Sequence, residues 1–201
     1  MWRHGSVAST TFALLLIASG GWPAQNGGIQ TIPAAYNPGR APVQIVAGWL
    51  ANASPPDEAP SKHPLILQIS DLVPFPPGAS ATAVIHPTDG LKLVHLAFDH
   101  KIGTFCAIGS PRWDVETTDG SVYAFGCATG VRQIDLPAPG WERITFSCSD
   151  AGVLKGLAGS CPLGSGQPVK LLQVVQDEPG STTLDNLDVN WAVMTGPGDG
   201  Q

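Results

Sequence analysis

The sequence is poor in charge and in uninterrupted stretches of helix-forming residues. Only 13% of its 201 residues are Asp, Glu, Lys or Arg, against 24 Gly and 19 Pro. Gly and Pro break helices, so helical bundles and coiled coils are excluded. Wholesale disorder is excluded too, because 43% of the residues are hydrophobic and the net charge is only −6. Aromatics are scarce at 7%, and the ten Lys and Arg residues form no cluster. A dispersed acidic surface disfavours nucleic acid and anionic membrane as partners. Past the N-terminal region no apolar run approaches the ~20 residues of a spanning helix, so no membrane span is expected in the mature chain. The class left is all-β, with short strands and Gly/Pro turns.

The N-terminal 1–21 segment has the marks of a secretory signal peptide. Arg3 and His4 open it, Val7 to Ser19 is uncharged, and Ala18-Ser19-Gly20-Gly21 supplies small residues for cleavage. The mature chain is therefore expected outside the cell or in the periplasm. Loss of Arg3 takes its net charge from −6 to −7. In such a compartment Cys106, Cys127, Cys148 and Cys161 are an even set of disulfide formers. Three pairings are open. The sequential one closes the shortest loops, and each bridge would contribute about 2–4 kcal/mol. The short Cys-to-Cys spacing of structural zinc is absent.

After the signal, residues 22–41 are rich in Gly, Pro, Asn and Gln and read as a flexible leader. Residues 42–194 carry the strand signals, and 195–201 form a polar tail. Asn52-Ala53-Ser54 is a glycosylation acceptor if the source is eukaryotic. Leu65–Ile69, Ser80–Ile85 and Leu91–Phe98 are apolar runs. Asp119-Gly120 between alternating runs signals a two-residue hairpin turn. It would set Trp113 opposite Gly126 and Val115 opposite Ala124. Residues 150–157 are the one short helical candidate. In the closing strand Leu187, Val189, Trp191 and Val193 share one parity, and Asn186, Asp188 and Asn190 the other. Trp113 and Trp191 are expected in the core on that alternation. About nine strands fit a β-sandwich, with a jelly roll as the expected form.

Two passages carry a resemblance. The first is Cys106-Ala-Ile-Gly-Ser-Pro-Arg-Trp113 followed by Gly126-Cys127. The second is Gly140-Trp-Glu-Arg143, Val174-Val-Gln-Asp-Glu-Pro-Gly180 and Leu184-Asp-Asn-Leu-Asp-Val-Asn190. Over roughly residues 91–191 the chain resembles a loose group of uncharacterised secreted bacterial β-sandwich proteins. More distantly it is similar to galactose-binding-like jelly rolls, many of them carbohydrate-binding modules. That likeness implies a binder of extracellular polysaccharide or glycan, often with a structural Ca²⁺, and not an enzyme.

The candidate site residues follow from exposure arguments. Trp141, Trp49 and Tyr123 are candidates for stacking on a sugar ring, whose apolar face packs on an aromatic. Arg143 shares the parity of Trp141, and Arg112 could hold a ligand carboxylate or hydroxyl. Asp185 lies on core parity at the start of the closing strand. Its carboxylate needs either Ca²⁺ or loop backbone N–H groups. No other cofactor is implied. No hydrolase motif is present, and His86, His95 and His100 match no metal spacing. The expected function is a secreted, non-catalytic ligand-binding sandwich. The alternatives are a structural or adhesive surface protein and, behind it, a small hydrolase.

Overall fold

The computed structural model describes residues 28–38, 43–50, 63–70, 78–156 and 161–196. Among them are thirteen strands. They are β1 (Gln30–Tyr36), β2 (Ile45–Trp49), β3 (Leu65–Ile69), β4 (Ser80–His86), β5 (Leu96–Lys101), β6 (Arg112–Thr117) and β7 (Val122–Gly126). There follow β8 (Val131–Ile134), β9 (Trp141–Phe146), β10 (Ala151–Lys155), β11 (Val169–Gln176), β12 (Gly180–Val189) and β13 (Ala192–Met194). Among the described residues no helix is long and apolar enough to cross a membrane. The 1–21 segment and Asn52 lie outside the described residues.

Two antiparallel sheets pack face to face. Sheet A runs β1-β4-β11-β6-β7-β10, and sheet B runs β2-β3-β12-β5-β9-β8 with β13 on β12. From β3 onward the chain passes back and forth between them. The inner blocks β4-β11-β6-β7 and β3-β12-β5-β9 are those of a jelly roll, two Greek keys around one core. The expected fold class is the observed one. Both disulfides are sequential, Cys106–Cys127 and Cys148–Cys161.

Alternation builds the core. Leu65, Leu67 and Ile69 of β3 and Ala81, Ala83 and Ile85 of β4 are all buried. The rings of Phe98, Trp113, Phe125 and Phe146 link the sheets, with Phe98 6.3 Å from Trp113 and 5.3 Å from Phe146 between centroids. The indole Nε1 of Trp113 is buried without a hydrogen-bond partner. Packing outweighs that desolvation here.

Several local expectations are corrected. β1 lies within the stretch read as leader and pairs along its whole length with β4. Thr195 and Gly196, at the start of the supposed tail, are buried, and Thr195 O accepts the His63 amide. Residues 151–155 are the strand β10 rather than a helix, because β7 offers them a backbone ladder. The β6–β7 turn holds three residues instead of two: Thr117 N donates to Ser121 O, and Gly120 takes φ +85°. Asp119 supports it by accepting from Thr117 Oγ1 at 2.7 Å and Ser121 N at 3.0 Å. The extra residue moves the register by one, so Trp113 pairs with Phe125 and Val115 with Tyr123.

Candidate functional site

The Cys106–Trp113 segment meets residues Asp177 and Glu178, just past β11, at one end of the sandwich. The 105–111 loop lies over the end of β7. There Gly126 comes so near the loop that a Cβ would overlap the Ile108 carbonyl oxygen, and a Cβ on Gly109 would overlap the Glu178 carboxylate. Ser110 donates to Asp177 Oδ1 at 2.8 Å and accepts the Asp177 amide. Arg112 donates to Asp114 from Nε (2.7 Å), and to Gly109 O and Asp177 from Nη1 (2.7 and 2.6 Å). Burial opposes the charge of Arg112, but Asp177 and Asp114 outweigh it and push its pKa above the ordinary value. Burial raises the Asp114 carboxyl against the pull of Arg112, whereas for Asp177 burial is overcome by Arg112 and Ser110 and the carboxyl is lowered. Most of the guanidinium is thus spent on tying the loop to β11. A cleft of about 530 Å³ opens beside it over β7 and β10, lined by Ile108, Arg112, Ala124, Gly126, Leu154 and Asp177. Among the described residues no aromatic lines it.

The proposed stacking residues are covered or half-covered. Trp141 is 4% exposed and Tyr123 2%, so neither presents an open ring face, and Trp49 is half-buried against the core. Among the described residues the exposed indole is Trp191, 69% exposed, which parity assigned to the core. The strand stops short of it. Asn190 and Trp191 form the two-residue link between β12 and β13, with φ +55° and +66°. A tight hairpin turn needs positive φ at both positions. Asn adopts that region readily, whereas a bulky aromatic is strained there.

The surrounding contacts hold this turn in place. Asn190 Oδ1 accepts from the amides of Val94 (2.7 Å) and His95 (3.2 Å), and Nδ2 donates to Lys92 O. The turn is thereby fastened to the loop before β5. Trp191 stacks on His95, with 5.3 Å between ring centroids and 5° between planes. His95 Nε2 is 3.3 Å from Asp188 Oδ2. Arg143, on the neighbouring β9, bridges Asp188 and Asp99.

The carboxylates share one face because β12 bulges. Its register against β5 shifts between Asp185 and Asp188, and Asn186 takes φ +45°. The extra residue returns Asp188 to the face of Asp185, although simple alternation separates them. Asn186 Nδ2 donates to Asp99 Oδ2 at 2.6 Å, and its amide donates to Asp185 Oδ1 at 2.8 Å. The backbone N–H weighed against Ca²⁺ at Asp185 is therefore present. The donor set does not suit Ca²⁺, which takes six to eight oxygens, because the guanidinium of Arg143 bridges two of the carboxylates. Asp188 Oδ1 is buried without a hydrogen-bond partner.

A second polar cluster sits at the edge of the core. His100 Nδ1 is 2.9 Å from Glu142 Oε1, and Nε2 is 3.0 Å from Thr104 Oγ1. Arg132 Nη1 donates to the same Glu142 oxygen at 2.8 Å. Burial holds His100 below its ordinary pKa, with Glu142 pulling the other way. The order hydroxyl, imidazole, carboxylate is that of a hydrolytic triad. Thr104 Oγ1, however, also lies 2.8 Å from Lys101 O and accepts the Thr183 amide at 3.3 Å. These are the contacts of a turn anchor.

Alternation placed Trp191 in the core and Asp188 and Asn190 on the other face, and nothing in the sequence joined them to His95 and Asp99. The one available signal was Asn190, a turn former at the end of an alternating run. No protein-family model, curated protein or solved structure matches the chain. The fold and this turn together define a jelly-roll domain that presents the indole of Trp191 on the β12–β13 turn.

Proposed function

We propose that the protein is a secreted, non-catalytic jelly-roll domain that binds extracellular saccharide, with Trp191 as its stacking platform. The observation that carries this reading is a 69%-exposed indole kept at φ +66° and backed by His95. Strain of this kind persists where the surroundings over-determine it, and it clusters at ligand sites. A pre-held ring loses little freedom on binding. Its outer face offers an apolar plane to a pyranose. Trp191, not Trp141, is the residue to test, since Trp141 is covered.

A glycan array or a polysaccharide pull-down with the full chain tests the reading. We expect capture of at least one saccharide and loss of that capture with Trp191→Ala. Failure to bind any glycan would remove the saccharide reading, and undiminished binding by the variant would remove the platform. The adhesive reading has one observation in its favour. The outer strands β8 and β10 expose Val131, Ile134, Val153 and Leu154. It requires reversible self-association, which sedimentation would report.

A further inference from the structure

The two disulfides sit in opposite electrostatic settings. Cys106 Sγ is 2.9 Å from Nη2 of Arg132, while Cys148 Sγ faces the carbonyl of Leu163 at 3.4 Å. A disulfide sulfur is a weak acceptor. A thiolate is a strong one, so the Arg132 bond gains strength when the bridge opens. The carbonyl at Cys148 does the reverse. A ligand nitrogen of His100 and the sulfurs of Cys106 and Cys127 lie within 4.8 Å of one another. Glu142, shared by Arg132 and His100, orients both.

The chain also holds Cys106 near Cys127 without their covalent link. The β6–β7 hairpin brings the flanks together, Cys127 N donates to Pro111 O at 2.8 Å, and Ala128 N donates to Ala107 O at 3.0 Å. Loop closure is the usual source of a disulfide's stabilisation. Here backbone pairing already closes the loop, so opening the bridge releases little chain.

From these placements we propose that Cys106–Cys127 is an exchangeable, redox-active disulfide, with Arg132 stabilising Cys106 as the thiolate. The co-reactant is a dithiol. Its first thiolate, drawn by Arg132, attacks Cys106 Sγ, which is half-buried where Cys127 is fully buried. The S–S bond breaks, a mixed disulfide forms and Cys127 leaves as a thiolate that takes up a proton. The second sulfur of the dithiol then attacks its partner in the mixed disulfide and releases Cys106 as a thiolate on Arg132. Two electrons pass from the dithiol to the cysteine pair. Of its two hydrogens, one ends on Cys127 and the other in solvent.

The test is a redox titration of the full chain in dithiothreitol buffers. Differential alkylation and mass spectrometry read the two bridges separately. We expect Cys106–Cys127 to be half-reduced at a dithiol-to-disulfide ratio at least tenfold lower than Cys148–Cys161, about 30 mV for a two-electron couple. Arg132→Met should shift the Cys106–Cys127 midpoint about tenfold toward the other bridge, and Arg132→Lys should restore part of the difference. Equal midpoints in the parent would overturn the proposal, as would a midpoint unmoved in Arg132→Met. If Arg132→Met fails to fold, the parent comparison and Arg132→Lys still decide it.

Discussion

Trp191 and His100 illustrate opposite ways in which a side chain is fixed by its surroundings. Trp191 is placed by its turn rather than by burial. Replacing it with Asn, which tolerates positive φ, relieves the strain while giving up the stack on His95. Each effect is on the order of 1 kcal/mol. Trp191→Asn should therefore leave unfolding free energy within about 1 kcal/mol of the parent in urea titrations. A much larger loss would mean that the indole is structural. His100 is buried, with Glu142, Arg132 and Thr104 as its neighbours. Its pKa is lowered by burial from an ordinary 6.5, so the unfolded chain binds the proton more readily than the folded one. Stability from this group is complete above about pH 6.5 and is lost as pH falls toward the folded value. Urea midpoints measured from pH 7.5 to 5 should decline in the parent. The decline should be shallower in His100→Asn, and equal slopes would contradict the assignment.

Among the elements, the parts open to the sequence were those governed by local alternation. Leu65, Leu67 and Ile69, or Ile144 and Phe146, announce their buried face by period two. What stayed hidden depends on a partner strand. The bulge in β12 exists only against β5, so alternation alone separates Asp185 from Asp188 where the sheet unites them. The three-residue β6–β7 turn is set by Thr117 and Ser121 as much as by Asp119-Gly120. Residues 151–155 become a strand because β7 has a free edge. Parity carried past Val189 put Trp191 inside, since period two says nothing of where a strand ends. The 105–111 loop gives a test at this level. Gly126→Ala would drive a Cβ into the Ile108 carbonyl and force the loop away from β7. Overpacking of this kind costs about 1–3 kcal/mol. Urea denaturation should register that loss, and a variant as stable as the parent would show that the loop yields freely.

Across the whole molecule, the low charge and the many Gly and Pro residues take on distinct roles. Gly109 and Gly126 permit the close crossing of loop and strand at one end, where Arg112, Asp114 and Asp177 hold it. Among the described residues, Asp99, Arg143 and Asp188 lie together beside the His95 that backs Trp191, and Glu142 and Arg132 gather with His100 beside Cys106. Removing one partner from such a buried set costs more than the pair contributes, because the other charge is stranded. One end of sheet B thus carries the exposed Trp191 of the proposed saccharide site, and one edge of the core surrounds the Cys106–Cys127 bridge proposed for exchange. Calorimetric titration is the most direct test of saccharide stacking on Trp191. A saccharide captured on the array is titrated into the parent and into Trp191→Asn, both folded. The variant should lose about 2 kcal/mol, roughly thirtyfold in affinity, at unchanged stability. Equal affinities for the two proteins would contradict it.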